Sequence, residues 1–180
     1  MMEEIGRKHP VHQSVHERRD VPIIVYLTVC TKRRKPILAS AAAHELLRAS
    51  WREARSWLVG RYVVMPDHIH LFCAPAINYG GTGSVPSQTS KDTSLGRHSG
   101  RPSNSLEKWI AFWKSHSARH WPDRQQAPVW QRHFWDTQLR RSESYDQKWQ
   151  YVMENAVWAG LVTRASDWAY QGELNVLRWL

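Results

Sequence analysis

Residues 62–75, YVVMPDHIHLFCAP, constrain the fold more than any other stretch of this chain. Pro66-Asp67 is a turn signal, and the runs on either side, Tyr62 to Met65 and His68 to Cys73, are short and rich in β-branched and aromatic residues. A tight β-hairpin follows. Whatever covers it must come from the rest of the chain.

The stretch PIIVYLTVC, bounded by Pro22 and Pro36, reads as another strand and runs into a basic cluster of Lys32, Arg33, Arg34 and Lys35. The segment SAAAHELLRASWREARSWLVG has helix formers and apolar residues at Leu46, Leu47, Trp51, Trp57 and Leu58, and predicts a helix closed by Gly60. A second helix is predicted from an N-cap at Ser105 through Leu106, Ile110 and Trp113. The stretch APVWQRHFWDTQLRR is strand-like or irregular. SESYDQKWQYVMENAVWAGLV predicts a third helix, capped by Ser142 and ended at Gly160. Strand, helix, hairpin, helix, β-like chain and helix give an α+β domain, a ferredoxin-like antiparallel sheet with helices packed on one face.

At 180 residues the chain is long enough for one domain with a real core. Residues 1–20 are polar and lack periodicity, so a flexible leader is expected ahead of a single domain over 21–180. Residues 77–104, rich in glycine and serine, read as a flexible loop inside that domain. No apolar run approaches the roughly 18 residues of a membrane span, and the N-terminus has no signal or lipidation pattern, so the cytoplasm is the expected compartment. Cys30 and Cys73 lack ligand spacing and read as buried thiols. The net charge of +9 favours a polyanionic partner, nucleic acid before membrane.

In a strand, His68 and His70 project from one face while Ile69, Leu71 and Cys73 pack on the other, so the two imidazoles can share a metal ion. Ten histidines in 180 residues predict about half an H-x-H pair by chance, and the motif alone does not decide. The third helix adds to it. Tyr145, Trp149, Val152 and Ala156 form an apolar stripe, and Lys148, Tyr151 and Asn155 lie on its flank. An ammonium, a phenol and an amide would be presented together from a rigid element; the plainer alternative is a snorkelling tyrosine beside two solvated neighbours.

The stretch YVVMPDHIHLF resembles the histidine-hydrophobic-histidine (HUH) motif of the single-tyrosine transposases. VWQRHFWDTQLRRSESYDQKWQYVMENAVWAGLV is similar to the region that follows in their REP-associated branch: a Trp-Gln-Arg segment, a downstream Arg, then a helix with Tyr-Ile-x-x-Asn-Pro-Val and a Gly-Leu-Val ending. The resemblance runs from Tyr26 to about Trp168. It implies His68 and His70 as metal ligands, Asn155 as the third ligand and Tyr151 as nucleophile. It gives Trp130, Gln131, Arg132 and Arg140 a general role in shaping the site or holding DNA. Ala156 stands where that family usually has proline, and the loop over 77–104 is long.

The chemistry so implied is a strand transfer on single-stranded or hairpin DNA, dependent on Mg²⁺ or Mn²⁺ and passing through a 5′-phosphotyrosine. Lys148, one turn before Tyr151, is the expected helper of its phenolate. Lys32, Arg33, Arg34 and Lys35 would meet phosphates. Nucleoid DNA would be the partner, with a homodimer or a monomer both open. Two other readings stay open: a domesticated DNA-binding protein of the same fold that does not nick, and an unrelated metal-dependent hydrolase using the two histidines.

Overall fold

The computed structural model describes residues 23–76, 105–140 and 143–177. The expected leader over 1–20, the expected loop over 77–104 and the expected cap Ser142 lie outside the described residues.

Strand β1 (Val25–Cys30) is followed by helix α1 (Ala41–Glu53), strands β2 (Trp57–Val64) and β3 (His68–Pro75), helix α2 (Leu106–Arg119) and strand β4 (Trp135–Gln138). These strands pair antiparallel in the order β4-β1-β3-β2, which is the ferredoxin-like βαββαβ arrangement. A short strand β5 (Gln171–Glu173) adds to the β2 edge. The hairpin of β2 and β3 stands in the middle of the sheet, with β3 flanked on both sides.

Alternation sorts the strand residues into two layers. Val25, Leu27, Val29, Val59, Val64, Ile69, Leu71 and Cys73 face α1 and α2. Serine hydroxyls cap both helices, Ser40 accepting from the Ala43 N–H and Ser105 from the Lys108 N–H. Leu47, Trp51, Leu106, Trp109, Ile110 and Trp113 then close the layer, with Trp113 meeting Trp51 and Trp109 edge to face at 6.1 and 6.2 Å between ring centroids. Both cysteines are buried free thiols.

The expected extension of the first helix to Gly60 is corrected: α1 stops at Glu53, and Trp57 and Leu58 open β2. Trp57, Leu58 and Val59 pair with Pro75, Ala74 and Cys73, so ladder hydrogen bonds and the burial of Trp57 outweigh local helix preference. Gly60 lies where the register shifts between Val59 and Tyr62. A Cβ there would stand 2.6 Å from Leu177 and 2.9 Å from the Tyr145 hydroxyl, so only glycine fits without rearrangement.

The opposite face of the sheet carries Ile24, Val63, Phe72 and Ala74. Helix α3 (Tyr145–Met153) lies across it through Tyr145 and Val152, joined by Ala156 and Leu177. The predicted apolar stripe of the third helix is therefore the face that docks. Two details differ from expectation. Ser144 provides the cap, accepting from the Gln147 N–H. At Glu154, still right-handed helical at φ −66° and ψ −12°, α3 gives way to a separate short helix α4 (Asn155–Trp158) that opens on Asn155. Gly160, at φ 69°, ends α4 with the Gly160 N–H on the Val157 carbonyl and the Leu161 N–H on the Ala156 carbonyl, a Schellman closure. Among the described residues, no helix is long and apolar enough to cross a membrane.

Candidate functional site

Directly paired residues of antiparallel strands share a face. The pairs Tyr26 with Phe72, Thr28 with His70 and Cys30 with His68 therefore place both histidines and three side chains of β1 on the side of the sheet that α3 crosses. There the His68 and His70 rings stand nearly perpendicular, their Nε2 atoms 3.1 Å apart.

Each Nδ1 has an oxygen behind it. Asp67 Oδ1 is 2.7 Å from Nδ1 of His68, and a carboxylate only accepts, so that nitrogen carries the proton and Nε2 keeps its lone pair. For His70, the Tyr26 hydroxyl at 2.7 Å and Thr28 Oγ1 at 3.0 Å flank Nδ1. A proton placed on that Nδ1 turns the second Nε2 lone pair toward the first. With the hydroxyls donating to Nδ1 instead, the His70 Nε2–H would donate to His68 Nε2; with Nδ1 protonated, the two lone pairs converge as ligands of one cation do. Burial pushes both histidines below their ordinary range, His70 to about 3, so both are neutral near pH 7 as ligation requires.

The carboxylate that orients His68 is itself held. Arg34 Nε lies 2.6 Å from Asp67 Oδ2, and Arg34 Nη1 donates to the Cys30 sulfur at 2.8 Å. To reach there, Arg33 and Arg34 take left-handed backbone at φ 58° and 56°, which costs on the order of 1 kcal/mol for each non-glycine residue. Thr31 offsets it: fully buried, it donates its hydroxyl toward the Lys35 and Asp67 carbonyls and its N–H to Asp67 as well, fastening the basic turn to the hairpin turn.

The four basic residues expected to meet phosphates consequently divide. Lys32 and Arg33 point to solvent, Arg34 braces Asp67, and Lys35 reaches the Gln126 carbonyl. Trp130 packs against Trp113 and Trp121 and donates to Ser117, which makes it part of the core layer. The Gln131 N–H donates to the Cys30 carbonyl. The Arg132 and Arg140 side chains are exposed.

On α3, the Lys148 ammonium stands 5.7 Å from the centre of the Tyr26 ring. Tyr151 is 61% exposed, its ring against Trp158 at 4.8 Å. Burial raises the Tyr26 pKa, Thr28 pulls it back, and charge on Tyr151 adds a smaller upward push, so the two phenols are electrostatic neighbours. Asn155 donates its amide nitrogen to the Val152 carbonyl at 2.8 Å, a bond that does not use its Oδ1. Among the described residues, no hydrogen bond or ring contact joins Tyr151 or Asn155 directly to the histidines. Helix and histidines meet through Tyr26.

Sequence reasoning singled out the histidines, Lys148, Tyr151 and Asn155 but passed over Tyr26, Thr28, the Asp67 carboxylate and Lys114. Lys114 is a largely buried ammonium in α2 that donates to the Gln131 and Arg132 carbonyls, and burial lowers it to about 8. The usable signal was alternation: Tyr26 and Thr28 share one face of β1, and Asp67 precedes the histidine pair.

No protein-family model and no curated protein matches the chain. Among solved structures, a REP-associated tyrosine transposase bound to a REP hairpin superposes on it with a TM-score of 0.57, covering 94% of this chain and 82% of that one at 18% identity. The chain shares the fold of that transposase. A candidate transposase from Deinococcus radiodurans R1 aligns over 76% of this chain and 93% of its own, with a TM-score of 0.44 and 18% identity. Beside the REP-associated transposase fold, the ferredoxin-like expectation holds. Among the described residues, no group of three or more His, Cys, Asp or Glu side chains is placed to hold a metal.

Proposed function

We propose that this chain is a metal-dependent transposase acting on single-stranded DNA, which nicks and rejoins hairpin-containing strands through a 5′-phosphotyrosine at Tyr151. The observation that carries the reading is the opposition of the two Nε2 atoms at 3.1 Å, each imidazole backed at Nδ1, on the sheet face that the tyrosine-bearing helix crosses. The transposase fold and the net charge of +9 support it.

His68, His70 and the Asn155 amide oxygen would hold Mg²⁺ or Mn²⁺. Such an ion, when bound, would supply a Lewis acid at the scissile phosphate. The chain's own groups do the rest. The Tyr151 oxygen attacks phosphorus as its proton leaves, the bond from phosphorus to the 3′ oxygen breaks, and that oxygen departs as a hydroxyl. The phosphoester is conserved, so another 3′ hydroxyl can reverse the step. Lys148 lends positive charge to the phenolate, and Asp67, Tyr26 and Thr28 keep the imidazoles in the ligating tautomer. Lys32, Arg33, Arg132 and Arg140 offer exposed cations to phosphates. The hairpin carried by the REP-associated neighbour makes hairpin DNA, in the cytoplasm and at the nucleoid, the substrate to try first.

The exposure of Tyr151, whose ring packs on Trp158, favours a second reading: a protein of the same fold that binds DNA without nicking it. One experiment separates the two. Labelled single-stranded hairpin oligonucleotides drawn from the sequence flanking the gene are incubated with the protein and Mn²⁺, beside Tyr151→Phe, and run on denaturing gels. A slow-migrating adduct seen only with Tyr151 establishes the transesterase. An adduct that survives in Tyr151→Phe removes the nucleophile assignment, and binding without any adduct selects the second reading.

A further inference from the structure

We infer that His116 and His120, at the C-terminal end of α2, form a second metal site, independent of the first, for a borderline divalent cation such as Zn²⁺. Both belong to the helical layer, and the sheet separates them from His68 and His70. Four residues apart, they stand one above the other on a helical face, with ring centroids 4.6 Å apart and planes inclined by 39°.

The hydrogen bonds fix which nitrogen faces outward. His120 Nδ1 lies 2.9 Å from the His116 carbonyl, which can only accept, so that Nδ1 carries the proton. His116 Nδ1 lies 3.0 Å from Oγ of Ser50 on α1, a fully buried hydroxyl. The single Ser50 hydrogen is donated to the Leu46 carbonyl at 2.8 Å, so the hydroxyl accepts from His116 and that Nδ1 is protonated too. Both Nε2 lone pairs are thereby free, and among the described residues neither Nε2 has a partner. Paired imidazoles one helical turn apart, each with Nδ1 held by an acceptor, are the arrangement that helical zinc sites use.

Nitrogen donors without carboxylates favour Zn²⁺, Ni²⁺ or Cu²⁺ over Mg²⁺ or Mn²⁺; the His68 and His70 imidazoles would take such an ion too, so they must be removed before the second site is counted. Water would fill the remaining positions. Phe112, half exposed, lies parallel to the His116 ring at 6.3 Å and shields one of its faces. A bound ion would clamp the last turn of α2, and Ser50 would pass that restraint to α1.

The test compares His68→Asn/His70→Asn with the same protein also carrying His116→Asn and His120→Asn. Asparagine places its amide nitrogen where the histidine Nδ1 stood, so the bonds to Ser50 and to the His116 carbonyl survive while Nε2 is lost. Equilibrium dialysis against Zn²⁺ should show one fewer ion per chain in the fourfold variant, with a melting temperature that no longer rises with Zn²⁺; equal stoichiometry overturns the site. Long-range ¹H–¹⁵N spectra of the unaltered chain give an independent readout. Protons on Nδ1 of His116 and His120, and Nε2 resonances that move on adding Zn²⁺, are expected, whereas an Nε2-protonated form of either ring sinks the inference.

Discussion

The Tyr26 hydroxyl lies 2.7 Å from Nδ1 of His70, and the other end of the same side chain borders α3, with the Lys148 ammonium 5.7 Å from its ring. One residue of β1 thus touches both the histidine pair and the helix that carries Tyr151. Its hydroxyl is one of the two that flank His70 Nδ1, and in the proposed metal site it would accept the Nδ1 proton.

Tyr26→Phe should therefore weaken metal binding about tenfold, because Thr28 Oγ1 at 3.0 Å remains to take the Nδ1 proton. Tyr26→Phe with Thr28→Val removes both acceptors and should approach the roughly hundredfold loss typical of stripped outer partners. The Mn²⁺ concentration giving half-maximal adduct formation reads this directly. An unshifted midpoint in the double variant would show that the β1 oxygens do not set the tautomer.

Asp67 holds the other ring. Asp67→Asn keeps an oxygen near His68 Nδ1 but loses the charge that Arg34 pairs with at 2.6 Å, whereas Asp67→Ala removes the acceptor altogether. Metal affinity should fall in the order aspartate, asparagine, alanine, over about ten- to hundredfold in all. The Thr31 bonds go to the Asp67 backbone carbonyl, so circular dichroism should be unaltered. Calorimetry with Mn²⁺ checks the order, and an alanine variant binding like the parent would refute it.

Lys114 gives a pH signature. Its folded pKa of about 8 is depressed below the ordinary 10.5, so between those values the unfolded chain holds more protons than the folded one. Its contribution to stability is therefore fully present above 10.5 and is lost as pH falls toward 8. The slope is at most about 1.4 kcal/mol per pH unit, reduced by the water that still reaches the amine. Urea midpoints of the parent and Lys114→Gln measured from pH 7.5 to 10.5 should converge toward the acid end and separate with rising pH in the parent's favour. Parallel curves would mean that the ammonium is not desolvated.

Gly60→Ala would press a methyl group against Leu177 and the Tyr145 hydroxyl, displacing the residues that anchor the chain's end and the start of α3. A loss of about 1–3 kcal/mol is expected, as for other overpacked sites. Thermal unfolding measures it. A neutral change would show that Leu177 moves aside freely.

The hairpin and its histidine pair were legible because Pro66-Asp67 marks the turn and period-two alternation assigns the faces. Trp57 and Leu58 were misread since two adjacent apolar residues fit a helix and a strand equally well, and pairing with Ala74 and Pro75 decides between them. The break at Glu154 has no proline or glycine to announce it. Tyr26 and His70 are 44 positions apart, and their contact depends on the register between β1 and β3, which no local pattern encodes. Arg34 shows the same limit: composition counts it as a surface cation, while a left-handed backbone turns it into a brace.

The sheet keeps its two faces apart by residue parity, even-numbered positions of β1 and β3 toward the histidines and odd-numbered ones toward α1 and α2. Mutational drift on one parity class is insulated from the other, since a change at Thr28 leaves the layer of Trp51, Trp109 and Trp113 untouched. Tolerance within the even class is narrower, because Ile24, Phe72 and Ala74 are fully buried beneath α3; a laboratory library on that face would hold them fixed and vary Tyr26, Thr28 and their neighbours.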